Sequence, residues 1–152
     1  MKKVLLLIIS VLFAIQVNAQ TQEESSTITI DSLSTKLVEL QHSYNFLYCD
    51  YNLYQIKTDL SQLSQDIKIN TNKPTFGQYD YDAYTLYSEN YNAIKRKFEA
   101  VQKLITIKIV TTDFTESELN VFNAYIKAIE CNMKVVEAGL KYYDRLLKIY
   151  KD

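Results

Sequence analysis

Residues 114–150 read FTESELNVFNAYIKAIECNMKVVEAGLKYYDRLLKIY, and an unbroken row of apolar side chains runs through them. The row advances in alternating steps of three and four residues, which is the spacing of one face of an α-helix. Thr115 stands where an N-cap is expected, and Glu118 completes the pattern of a capping box. We therefore predict a helix over residues 115–151. The row consists of Leu119, Phe122, Ile126, Ile129, Met133, Val136, Leu140, Tyr143, Leu147 and Tyr150.

A second row on the same stretch is charged. Each acid in it precedes a lysine by four residues, the favourable orientation for a surface ion pair. This pattern indicates a face turned to solvent. The row consists of Lys127, Glu130, Lys134, Glu137, Lys141, Asp144 and Lys148.

The apolar pattern of the segment before this last helix predicts a second helix over about 80–111, with Asp80 or Asp82 capping its start. Its last residues, 105–111, are rich in β-branched side chains and alternate in polarity, so a short strand is the alternative there. The apolar row of this helix consists of Tyr84, Tyr87, Tyr91, Ile94, Phe98, Val101 and Ile105.

A third helix, predicted over about 31–69, carries two apolar rows on separate faces, which overlap at residues 46–54. Either the helix changes register there, or its middle is covered on both sides, as in a homodimer. Candidate self-association residues are Phe46, Tyr48, Leu53 and Tyr54. The first row is Leu33, Leu37, Leu40, Tyr44, Leu47, Tyr51 and Tyr54; the second is Phe46, Cys49, Leu53, Ile56, Leu60, Leu63 and Ile67.

Turn-forming residues are scarce, with two glycines and one proline in 152 residues. Such a composition is unsuited to many short strands or a glycine-rich phosphate loop. Pro74 and Gly77 separate the first two helices. The predicted fold is all-α: an up-down-up bundle of three long antiparallel helices.

The first 19 residues have the organisation of a bacterial signal peptide. Lys2 and Lys3 precede an apolar run from Val4 to Val17, and Ala19 ends a small-residue cleavage pattern. The alternative is an uncleaved anchor, but the run is shorter than the ~20 residues that span a bilayer. We expect cleavage, a flexible tail over 20–30, no transmembrane segment after cleavage, and a periplasmic or extracellular location.

Charge and chemistry limit the classes of function. The chain has 17 basic and 18 acidic residues, a balance that does not favour nucleic acid as a partner. The basic group Lys95, Arg96 and Lys97 is interpreted as a solvated face, with contact to an acidic partner as the alternative. The one histidine, His42, belongs to no catalytic or metal-binding motif. We predict no catalytic residue, no metal site and no cofactor.

Cys49 and Cys131 fall at similar heights if the first and last helices run parallel. An oxidising compartment favours pairing, so we expect a disulfide between them, with two free thiols as the alternative.

Five tyrosines occur within residues 79–91. The later ones continue the apolar row of the second helix, whereas Tyr79 and Tyr81 are expected to precede that helix and break the row. The two earliest tyrosines, the aspartates that follow them and one tyrosine near the end of the last helix form a candidate surface for a ligand or partner. This surface consists of Tyr79, Asp80, Tyr81, Asp82 and Tyr142.

These features favour an exported, non-catalytic binding protein that acts as a protein-interaction or envelope-structural module. Its partner is an unknown protein or envelope component, with a homodimer as one form. The alternative is a small-ligand or glycan binder that uses the tyrosine-rich end of the bundle. An enzyme of unspecified type comes third.

Overall fold

A computed structural model describes residues 30–110 and 114–150 of the chain. These residues form three α-helices, α1 (Ile30–Thr71), α2 (Gln78–Val110) and α3 (Glu116–Ile149), and contain no strand. The prediction of an all-α fold with three long helices is confirmed for this part of the chain. The predicted signal peptide, and residues 20–29 of the predicted tail, lie outside the described residues.

The chain divides into two compact units, residues 1–38 and 39–152. In the first unit, the structure describes the opening turns of α1, where Leu37 and Val38 are exposed. The second unit contains the rest of α1, all of α2 and α3, and the hydrophobic core.

Contacts between the helices give their directions within the second unit. His42 near the start of α1 meets Glu118 near the start of α3, at 3.0 Å from Nε2 to Oε1. Farther along both helices, Gly139 of α3 approaches Ile67 of α1. The first contact joins the early parts of the two helices and the second joins their later parts, so α1 and α3 run in the same direction. Tyr81 contacts Leu147 and Tyr91 contacts Glu137, so α2 runs opposite to α3.

One apolar row from each helix builds the core. In α3, Phe122, Ile129, Val136 and Tyr143 recur every seven residues and are almost completely buried. This repeat keeps them on one face of the helix, so they exclude water along its length. The core members from α1 and α2 are Cys49, Leu53, Ile56, Leu60, Leu63, Ile67, Tyr91, Phe98, Val101 and Ile105.

The predicted capping box at the start of α3 is confirmed. The Thr115 hydroxyl accepts a hydrogen bond from the Glu118 backbone N–H at 3.3 Å, and Glu118 accepts one from the Thr115 backbone N–H at 2.8 Å. Two amides that the helix itself leaves unpaired are thereby satisfied. Phe114, just before the cap, is buried against Phe122 with ring centroids 5.0 Å apart.

α2 begins two residues earlier than predicted, at Gln78. Asp80 does stabilise the helix start, but from inside the first turn: its Oδ2 accepts a hydrogen bond from the Gly77 backbone N–H at 2.8 Å. Tyr79 and Tyr81 are therefore helical residues, and the expectation that they precede the helix is wrong. At the other end, residues 105–110 are helical, as predicted over the strand alternative.

The predicted disulfide between Cys49 and Cys131 is wrong. Both cysteines are free, and they lie in different environments: Cys49 is fully buried, whereas Cys131 is exposed. The reason is the position of Cys131 around the axis of its helix. Cys131 follows the buried Ile129 by two residues, which places it about 200° around the helix and away from the core. Equal height along parallel helices was therefore insufficient to pair the two thiols.

Gly139 marks a close approach of α1 and α3. A Cβ atom built at this position would lie 3.0 Å from Cγ2 of Ile67. That distance is too short for a comfortable contact between carbon atoms, so a larger residue forces the two helices apart or Ile67 into another rotamer.

We expect native protein at pH 8 to react quickly with a thiol reagent at one cysteine per chain, and at the second only after unfolding. Burial raises the pKa of Cys49 to about 11, an effect that the positive charge of Lys108 only partly offsets, so its reactive thiolate is scarce. Absorbance of the released thiol-reagent anion counts the sites, and Cys131→Ser should abolish the fast phase. A failure of either cysteine to react after unfolding without reductant would contradict the free-thiol assignment.

Replacement of Gly139 by valine should lower the free energy of unfolding by about 1–3 kcal/mol, because the added methyl groups overpack the contact with Ile67. Ala138→Val is the matched control, since Ala138 is exposed on the same turn. Urea unfolding followed by circular dichroism measures both variants. Equal stability of the two would show that the α1–α3 contact at Gly139 is looser than described.

Candidate functional site

The most conspicuous surface of the second unit is an apolar row on α1 that faces away from the core. Its side chains are between 41% and 62% exposed. On the same helix, Cys49, Leu53 and Ile56 are fully buried, so α1 is apolar on two opposite sides over this stretch. We call the exposed row the outer α1 face. It consists of Leu40, Tyr44, Leu47, Tyr48, Tyr51 and Tyr54.

This face carries almost no charge. Between residues 40 and 54, the acidic and basic side chains are only His42 and Asp50. His42 is directed to α3, where it meets Glu118. In contrast, one row of α3, from Lys127 to Lys148, carries the alternating lysines and acids predicted for a solvated surface. A helix face that meets only water is normally polar, so the outer α1 face has the composition of a surface that is covered by another molecule.

Tyrosine dominates the outer α1 face and already orders part of it. The rings of Tyr44 and Tyr48 stack with centroids 6.2 Å apart. Tyrosine combines a large apolar ring with a hydroxyl that tolerates water, which is why it is enriched in interfaces that form from separately folded partners.

The four residues proposed from sequence for self-association divide between the two sides of α1. Tyr48 and Tyr54 lie on the outer face, whereas Leu53 is fully buried in the core. Phe46 is half-buried, and its ring packs on Phe122 with centroids 5.5 Å apart. The structure thus assigns the second apolar row of α1 to the core and leaves the first row exposed from Leu37 to Tyr54.

Asn45, which lies beside Tyr44 on α1, was not among the candidate residues predicted from the sequence. Its side chain is buried, and its Oδ1 accepts a hydrogen bond from Gln41 at 3.1 Å. Among the described residues, its Nδ2 has no hydrogen-bond acceptor. An asparagine in the middle of an apolar pattern was the one sequence signal for this position.

The tyrosine-rich end of the bundle brings together the other candidate residues, but it uses several of them internally. Tyr79 and Tyr142 are exposed, as is Asp82. Tyr81 donates a hydrogen bond from its hydroxyl to the Leu147 carbonyl at 2.8 Å, which ties α2 to the end of α3. Asp80 is buried.

The Asp80 carboxylate joins three parts of the chain. Oδ1 accepts hydrogen bonds from Lys73 Nζ at 3.0 Å and from the Tyr143 hydroxyl at 3.2 Å. Oδ2 accepts the bond from Gly77. The Lys73 ammonium also lies 5.4 Å from the centre of the Tyr79 ring. A buried anion with this set of donors holds the loop, α2 and α3 together.

These contacts set the pKa of Asp80. Burial alone would raise the pKa, but the Gly77 amide, the Lys73 charge and the Tyr143 hydroxyl together lower it below its ordinary value of 3.8. The same carboxylate, together with burial, raises the pKa of Tyr143, so that the phenol remains a donor. The ionised form of Asp80 therefore stabilises the fold above pH 3.8, and this stabilisation is lost as the pH falls through the lower folded-state value.

Asp80→Asn should reduce the free energy of unfolding at pH 7 by about 1.5–3 kcal/mol, because the acceptor loses its charge and the asparagine NH2 group cannot accept a hydrogen bond in place of the second carboxylate oxygen. The loss relative to the natural chain should shrink as the pH falls from 3.8 through the lower folded-state pKa, where the natural carboxylate of the folded chain also becomes neutral. Urea unfolding at several pH values measures this. Asp82→Asn, an exposed acid two residues away, is the control; equal effects of the two variants would contradict the role of Asp80.

The described residues contain no candidate metal centre and no candidate membrane span. Over 30–110 and 114–150, no three His, Cys, Asp or Glu side chains are grouped so that they could hold a metal ion. No helix of this part of the chain combines the length and the hydropathy needed to cross a bilayer. Comparison with models of protein families, with curated proteins and with solved structures finds no match to this chain.

Proposed function

We propose that this chain is an exported, non-catalytic protein-interaction module that binds its partner through the outer α1 face. The observation that carries the proposal is the exposed, nearly uncharged row from Leu40 to Tyr54 on a helix whose opposite side already fills the core. Export is inferred from the predicted signal peptide, which places the interaction in the periplasm or outside the cell.

The size of the face suits a binding function. Aromatic side chains contribute about 150–250 Å² each when fully buried, so four half-exposed tyrosines and two leucines offer on the order of 500 Å² of surface to a partner. The largest apolar patch on a typical monomer measures about 300–600 Å² and is often functional, so the outer α1 face has the size of a functional patch. Covering this patch removes apolar surface from water, which supplies the driving force for association.

The acidic residues and tyrosines inside the bundle make hydrogen bonds that join its helices, which supports a structural role for these side chains. Asp80 and Tyr81 tie α2 to its neighbours, and Glu118 both caps α3 and meets His42. Tyr91 donates its hydroxyl proton to the Glu137 carboxylate in a hydrogen bond between α2 and α3. These acids and bases hold helices together, whereas the outer α1 face is free to bind.

A photo-reactive phenylalanine analogue at Tyr51, in the middle of the face, tests the proposal in cells that export the full-length chain. We expect covalent adducts of defined mass after illumination, because a covering partner lies within reach of residue 51. Lys127, on the charged side of α3, is the control position, and it should yield few adducts.

Mass spectrometry of the adducts identifies what covers residue 51. The same adduct pattern from residues 51 and 127, or none from residue 51, would contradict binding through the outer α1 face.

A further inference from the structure

We infer that the outer α1 face binds a second copy of this chain, so that α1 packs against α1 in a symmetric homodimer. This inference rests on the proposed function, because it names the partner of the same surface. Four features of the face support it: the spacing of its residues, its lack of charge, its alternation of leucine and tyrosine, and its area.

The spacing requires a helical partner. Leu40, Tyr44, Leu47, Tyr51 and Tyr54 follow one another in steps of four, three, four and three residues. This average of 3.5 residues is the repeat of a coiled-coil seam, in which the residues of one helix fit between those of another. A strand or an extended peptide has a period of two and would match only some of these positions.

The lack of charge favours an identical partner over a charged one. Asp50 is the one acidic residue between residues 40 and 54 and does not belong to the outer α1 face, and no lysine or arginine occurs in this range. A partner chosen by opposite charge would have little to recognise, since charged residues beside a seam usually set the choice of partner. A copy of the same face brings no charge that must be buried in the seam.

The row is complementary to itself. Leucine and tyrosine alternate from Leu40 to Tyr51, so leucines of one copy can pack beside tyrosine rings of the other. In a twofold dimer the same patch is used by both partners, which requires this kind of self-complementarity. The tyrosine hydroxyls remain at the edges of the seam, in contact with water.

The area is sufficient for a specific dimer. Two copies of a face of about 500 Å² bury roughly 1,000 Å² in total, the lower limit for a specific interface. Interfaces of this size are commonly reversible, and the separate copies are stabilised by a core that does not depend on the contact. We therefore expect monomers and dimers in equilibrium at micromolar concentration.

Analytical ultracentrifugation of the protein recovered after export tests the inference. The sedimentation coefficient should rise with concentration from that of a monomer to that of a dimer. Leu47→Glu should weaken the dimer by at least about 100-fold, because it buries an unpaired carboxylate in the seam. Leu86→Glu is the matched control: Leu86 is 54% exposed on α2, against 62% for Leu47, and its replacement should leave the dimer unchanged.

Circular dichroism of both variants establishes that they remain helical, since both replaced leucines are exposed. A protein that stays monomeric at several hundred micromolar overturns the inference, as does a dimer that Leu47→Glu leaves intact. If the chain is monomeric while residue 51 still forms adducts with another protein, self-association fails and the proposed function stands. If residue 51 forms no adducts and the chain is monomeric, both fail.

Discussion

Exclusion of water from one apolar row of each helix is the interaction on which the rest of the structure depends. The rows of α1 and α3 are fully buried at their centres, at Leu53, Ile56, Ile129 and Val136, and the row of α2 is almost completely buried from Phe98 to Ile105. Because each row is straight along its helix, burying it forces the three rods to lie side by side. This packing also positions the polar contacts between helices, because it brings Tyr91 within hydrogen-bond distance of Glu137 and His42 within reach of Glu118.

The core uses only one of the two apolar rows of α1, and this choice creates the candidate functional surface. A second row on the same helix has no place in a three-helix core, since α2 and α3 approach α1 from the opposite side. The result is a contrast within one molecule. The row from Lys127 to Lys148 on α3 is charged, as expected for contact with water, while the outer α1 face is built from leucine and tyrosine. The proposed binding function and the proposed dimer both follow from this contrast.

At the tyrosine-rich end of the bundle, a buried carboxylate fixes positions that apolar packing alone does not define. The Asp80 carboxylate satisfies the backbone amide before α2, neutralises Lys73 and accepts a bond from Tyr143. Three segments are thereby fixed in relation to one another, which apolar contacts alone would leave free to slide. The tyrosine-rich end is consequently a joint between helices, with Tyr79 and Tyr142 exposed at its surface.

The sequence by itself determined the helices, because their apolar rows and the Thr115–Glu118 capping box are local patterns that need no knowledge of the fold. It also marked both apolar rows of α1. Tertiary structure decided which row is buried, since that depends on where α2 and α3 lie. It likewise decided that Cys131 faces outward while Cys49 is enclosed, because rotation about the helix axis separates thiols of equal height. Asp80 acquired its partners in the same way: Tyr143 is 63 residues distant, and only the packed bundle brings it within hydrogen-bond distance.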